Sequence, residues 1–161
     1  MSEASGLEAI EPWLDAVLQR LKPGERRALS ARIGRMLRQR NAERIRDNSD
    51  PDGNPMPARK SQLDQRGRIR KRKSRMFPKI ALARNLKVRT SPDEVELTFT
   101  GRTAQTAAVH HFGLEDAVDR RIPNSIRTRY PARRLLGIPA ADRDAILDEV
   151  ITWLDLKDGQ A

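Results

Sequence analysis

Residues 66–75 read Arg-Gly-Arg-Ile-Arg-Lys-Arg-Lys-Ser-Arg, seven cations and no acid in ten positions. Charges of one sign at this density repel one another, and no protein interior compensates for stripping them of water. The segment must lie outside any core, in solvent or against an anion. Whatever folds has to be assembled from the chain on either side of it. The 161 residues therefore suit one structural unit that carries an extended arm.

The charge is unevenly distributed. Residues 31–90 hold 19 Lys or Arg against 5 Asp or Glu, whereas residues 141–161 hold 2 against 6. A net charge of +10 directs the chain towards polyanions or acidic protein surfaces. The asymmetry also lets a basic middle on one copy face an acidic end on another, so self-association competes with nucleic acid as its explanation. With 37% hydrophobic residues the core is modest, and help from neighbouring subunits is expected.

Before the arm, Leu7, Ile10, Leu14, Val17, Leu18 and Leu21 recur at helical spacing. Lys22-Pro23-Gly24 interrupts them, and Pro23 suits the first turn of a second helix through Leu29, Ile33, Met36, Leu37 and Ile45. Residues 1–46 thus read as a helical hairpin with a basic outer face. Asp47 to Pro55 is dense in turn-forming residues. Its acids resemble a calcium loop, but the bidentate Glu at the twelfth position is missing and Pro51 and Pro55 interrupt the pattern. Residues 47–76 are read as a loop and the basic arm.

After the arm, Met76, Phe77, Ile80, Ala81, Leu82 and Leu86 predict a short helix returning to the core. Leu86 to Thr90 and Glu94 to Thr100 predict two strands about a Ser91-Pro92-Asp93 turn; Val95, Leu97 and Phe99 alternate with polar residues. Thr103 to Phe112 predicts a closely packed helix stopped by Gly113. Residues 114–125 read as irregular, Ile126 to Tyr130 as a last strand. After Pro139 a final helix begins with Asp142 and Asp144 in its first turn and buries Ile146, Leu147, Val150, Ile151 and Leu154. The fold class is α+β: a helical hairpin, a basic arm, a small antiparallel sheet packed with helices, and a C-terminal helix, residues 77–161 forming the body.

Reaction chemistry finds little footing. His110 and His111 are adjacent, so on a helix they point about 100° apart and cannot share an ion. With no cysteine there is no thiolate nucleophile or thiolate metal site. No phosphate loop or nucleophile elbow is present, and neither a cofactor nor a metal is expected. The reading is of a non-enzyme. A cytoplasmic protein binding nucleic acid non-specifically through residues 66–75 is the alternative, although only Phe77 adjoins them as a stacking group. No apolar run reaches the ~20 residues of a membrane span.

Three motifs bear on the choice. Asp50-Pro51-Asp52-Gly53 precedes Pro57-Ala58-Arg59-Lys60. Phe99-Thr100-Gly101-Arg102 leads into Ala107 to Phe112 and Gly113. Tyr130-Pro131-Ala132-Arg133-Arg134-Leu135-Leu136-Gly137-Ile138 comes last. Collinear and in this spacing, they resemble the phage virion morphogenesis family, the tail completion proteins of contractile-tailed phages. The resemblance covers nearly the whole chain.

The resemblance implies a structural role at the head-proximal end of the tail, in the neck, where the tail is finished and joined to a filled head. It implies a ring, commonly sixfold, around the DNA channel. The implied partners are further copies and other tail and neck proteins: tail tube, sheath, terminator or connector. Localisation is then the virion, after assembly in the host cytoplasm. Asp52, Gly53, Lys60, Gly101, His110, Phe112, Gly113, Pro131, Arg133, Leu136 and Gly137 carry the motifs as structural positions. Arg66, Arg68, Arg70, Lys71, Arg72, Lys73 and Arg75 become candidate contacts with a neighbouring subunit or with DNA in the channel.

Overall fold

The computed structural model describes residue 12, residues 15–58 and residues 76–158. The expected first helix is seen over residues 15–20; the basic arm lies outside the described residues. Four further segments organise the fold: helix α1 (Pro23–Asp47), the hairpin β1 (Leu86–Thr90) and β2 (Val95–Phe99), helix α2 (Arg102–Phe112), and helix α3 (Ala140–Asp158). A second small hairpin, β3 (Glu115–Ala117) and β4 (Arg127–Arg129), stands between α2 and α3.

Helix α1 starts at Pro23, and the Lys22 amide donates to Glu25 Oε2 at 3.0 Å. Its buried face carries Leu29, Gly34, Leu37, Asn41, Ala42 and Ile45, one stripe of a 3.6-residue helix. Burial of each large aliphatic there is worth about 2 kcal/mol. Gly34 sets how closely α1 meets the first hairpin: a Cβ on it would lie 2.5 Å from Val88 Cγ1.

The register of that hairpin pairs Leu86 with Phe99, Val88 with Leu97 and Thr90 with Val95, so the apolar residues share the face turned to α1. Lys87, Arg89, Glu96 and Thr98 take the other. The central cluster joins Ala42, Ile45, Met56, Phe77, Ile80, Leu86, Ala107 and Leu135.

Three local expectations change. Residues 78–85 are successive turns rather than a helix, with i to i−3 bonds from Leu82 to Lys79 and from Asn85 to Leu82, although Phe77, Ile80 and Ala81 are buried as expected. Residues 115–117, read as irregular, pair with 127–129, because the alternation is masked by charged residues that satisfy one another across the strands. Ile151 is exposed, since α3 turns Ile146, Leu147 and Val150 inward instead.

Helix α3 docks on α1 through charge as well as through apolar contact. Asp142, wholly buried, receives Arg40 Nε at 2.6 Å and both Nη atoms of Arg44 at 2.7 and 3.0 Å. About two turns further along, Glu149 pairs with Arg32, whose guanidinium lies 5.6 Å from the centroid of the Trp153 ring. Part of the basic-middle, acidic-end asymmetry is thus resolved inside one chain.

Candidate functional site

Each motif adopts its local shape for a stated reason. In the first, Asp50 closes a tight loop: its carboxylate accepts from the Asn54 amide at 2.8 Å, and its carbonyl accepts from Gly53. Burial would raise the Asp50 pKa, but hydrogen bonds from Asn54 and the Arg134 charge together hold it below the ordinary value. The oxygens that resembled calcium ligands serve the turn. In the second, α2 ends at Gly113 in the left-handed region (φ +66°), with the Gly113 amide bonded to Val109. In the third, residues 130–138 form no regular secondary structure and lay the chain across both of the others.

The three meet at Arg133. Its backbone amide donates to the His110 carbonyl at 2.7 Å. Its buried guanidinium donates from Nε to the Pro57 carbonyl at 2.7 Å, from Nη2 to the Ala58 carbonyl at 3.1 Å, and from Nη1 to the Pro131 carbonyl at 3.3 Å. Nη1 also stands 3.0 Å from His110 Nδ1. Arginine only donates, so Nδ1 is the acceptor and the His110 proton sits on Nε2. Burial lowers the Arg133 pKa, yet a guanidinium remains charged, and backbone dipoles solvate it in place of water.

The His110 ring fits edge-on between Phe77 (centroids 5.0 Å apart) and Tyr130 (4.9 Å). Next to it, His111 Nδ1 accepts the Leu135 amide at 3.2 Å. Burial first, and the Arg134 charge second, push the His111 pKa below 6.5. The neighbouring Arg134 pairs with Asp52 of the first motif. Gly137 rests against Pro51, where a Cβ would lie 2.5 Å from the ring Cγ, and its amide donates to Asn41 Oδ1 at 3.1 Å.

The positions expected from the motifs divide accordingly. Asp52, His110, Gly113, Pro131, Arg133 and Gly137 are brought together, Leu136 packs against the core, and Gly53 and Gly101 occupy positive-φ turns. Phe112 is exposed, its ring edge-on to that of His111 with centroids 4.7 Å apart. Lys60 and the seven arm cations lie outside the described residues. Sequence reasoning missed Asn41, Arg40, Arg44 and the burial of Asp142. The i, i+4 spacing of Arg40 and Arg44 put two donors on one helix face, but nothing local names a carboxylate almost a hundred residues later as their target.

The arrangement spends its polar atoms on fastening backbone segments to one another. Among the described residues no group of three or more histidines and acids is placed to hold a metal ion, and no helix is long and apolar enough to cross a membrane. Fold and site define a small α+β protein whose charged and histidine side chains act as internal fasteners. The chain belongs to the phage virion morphogenesis family, whose pattern matches residues 6–155. Among its relatives is tail completion protein S of Escherichia phage P2, 34% identical over 148 residues, which span 90% of this chain and 95% of that one. No solved structure matches it.

Proposed function

We propose that this chain is a structural, non-catalytic virion protein that completes a phage tail at its head-proximal end and is needed for joining tail to head. The observation that carries the reading is the near full-length similarity to a protein named for tail completion, over a span that contains all three motifs of the Arg133 site. A node that locks three distant segments suits a subunit that must keep its shape within an assembly.

The subunit acts as a ring, sixfold in the simplest case, and meets other tail and neck proteins. Its working division is residues 1–46, an arm over 47–76, and a body over 77–161. Arg66, Arg68, Arg70, Lys71, Arg72, Lys73 and Arg75 contact acidic protein surface or DNA in the channel. Asp142 and Glu149 are already paired within the chain, so the acids of α3 open to such an arm are Asp144, Asp148 and Asp155.

The test is genetic and visual. Lysates of a phage lacking this gene should contain heads and tails that fail to join, and supplying the protein should restore joined particles. Normally joined particles in its absence would overturn the reading.

A further inference from the structure

Helix α2 separates two unlike surfaces. On one side, Thr106 receives Arg120 Nη1 at 3.1 Å, which holds the β3–β4 hairpin against the helix. On the other, Ala104, Ala108 and Phe112 form one wall of a groove of about 600 Å³, with Val95 and Leu97 of β2 opposite and Ile138 at the rim. Thr106 and Val109 lie on the helix face opposite Ala104 and Ala108, so a hairpin that stays docked on its own α2 cannot reach its own groove.

The groove is uncharged. None of its lining residues is ionised at neutral pH, in a chain of which 34% is charged. Its polar members are bonded internally: Asn41 to Leu37 and Gly137, Thr98 to the Phe99 carbonyl, and His111 Nδ1 to the Leu135 amide. A charged occupant would lose its hydration there without compensation.

The hairpin tip has the matching character. The Val118 amide donates to the Ile126 carbonyl at 2.9 Å, and Ile122 lies in the turn between them; Ile126 is 81% exposed. Around these three apolar residues, Arg120 pairs with Asp116, Arg121 with Asp119 and Arg127 with Glu115. The Arg121 contacts hold the Asp119 pKa down to about 2, so the pairing persists over the working pH range. The Asp119 amide also donates to Ser125 Oγ at 3.0 Å, which orders the turn before any partner arrives. Among the other exposed apolar positions, Ile151 and Leu156 on α3 sit among the exposed acids Asp144, Asp148 and Asp155 and suit an uncharged groove poorly.

We infer that the Val118–Ile122–Ile126 tip of one copy seats in the α2–β2 groove of the next. Knob and groove are different surfaces of the same chain, so the contact is head-to-tail and repeats until it closes into a ring. The inference rests on the proposed association of copies and names the surfaces that make it.

The chain has no cysteine, so a thiol pair reports this contact alone. Full-length Ile122→Cys and Ile138→Cys proteins, mixed and treated with diamide, are expected to give a disulfide-linked dimer. Either variant alone should not, and nor should Ile122→Cys mixed with Gln105→Cys, which is exposed outside the groove. Ile126→Asp, at an exposed position that leaves the fold intact, should raise the concentration needed for association at least tenfold in sedimentation velocity. If the chain associates without the 122–138 link, or links 105 as readily as 138, this interface is wrong while self-association stands. A chain that stays monomeric at every concentration and never links overturns both. Linking of Ile122→Cys to a different tail protein in a reconstituted mixture, in place of the 138 partner, also overturns the self-contact.

Discussion

Arg133 and His110, 23 residues apart in sequence, stand with Nη1 and Nδ1 3.0 Å apart, and the same guanidinium holds the carbonyls of Pro57 and Ala58. One cation therefore joins the three motif segments of the fold without a carboxylate partner among the described residues. Arg133→Ala should lower stability by about 2–3 kcal/mol, since it leaves carbonyls unpaired and opens a cavity. Arg133→Lys should recover little of this, because a point-like ammonium cannot reach several acceptors in a plane. Urea denaturation of both variants measures the difference.

Asp142 is fully buried beneath Arg40 and Arg44. Asp142→Asn should cost about 3 kcal/mol, the usual consequence of breaking one side of a buried ion pair. Arg44→Ala should cost more than Arg40→Ala, because the Arg44 side chain is 17% exposed and Arg40 is 38% exposed. Thermal melting of the three variants gives the order; equal losses for the two arginines would contradict this account.

The pH dependence has two separate windows. The folded His111 pKa lies below 6.5, so the unfolded chain binds a proton where the folded chain does not. Its contribution is complete above 6.5 and declines as pH falls from there through the folded value. His111→Gln keeps an acceptor for the Leu135 amide without a titrating group, and should flatten stability in that window. For Asp142, burial raises the pKa, but the hydrogen bonds and charges of Arg44 and Arg40 more than offset it, leaving it below 3.8. That contribution is complete above 3.8 and is lost as pH falls through the folded value, so Asp142→Asn lowers the plateau above 3.8 and flattens the acid limb, where the two proteins converge.

Two glycines should respond with opposite signs. At Gly113 an alanine meets both the left-handed backbone and Ala132 N, 3.0 Å from the new Cβ, and should destabilise by about 2 kcal/mol. Gly24 lies in the first turn of α1 with nothing within 4 Å of a Cβ, so alanine there should stabilise by about 0.5–1 kcal/mol. Melting temperatures of the pair check the contrast.

The helices and the first hairpin were legible in the sequence because their apolar periods are long enough to repeat: Leu29 to Ile45 for α1, Val95 to Phe99 for β2. Strand β4 was legible within the stretch Ile126 to Tyr130, but its partner β3 was not, since three residues, Glu115 to Ala117, two of them acidic, show no apolar alternation. At the site, the motif residues were identified but their convergence was not. The bonds from Arg133 to Pro57 and from Arg44 to Asp142 span 76 and 98 residues, and nothing in local spacing encodes such partners. His111 as a backbone acceptor was equally hidden, because the fact lies in the path of residues 131–136 and not in the histidine.

The Arg133–His110 contact also has a consequence for the chain between Ala58 and Met76. Ala58, where that segment leaves the body, is fastened to Arg133, and Phe77, where it returns, packs on His110. Exit and re-entry share one anchorage. The cost of closing a loop between fixed ends grows only with the logarithm of its length, about 0.6 kcal/mol per doubling. The body can therefore accept a longer, shorter or differently charged segment there with little effect on its own stability.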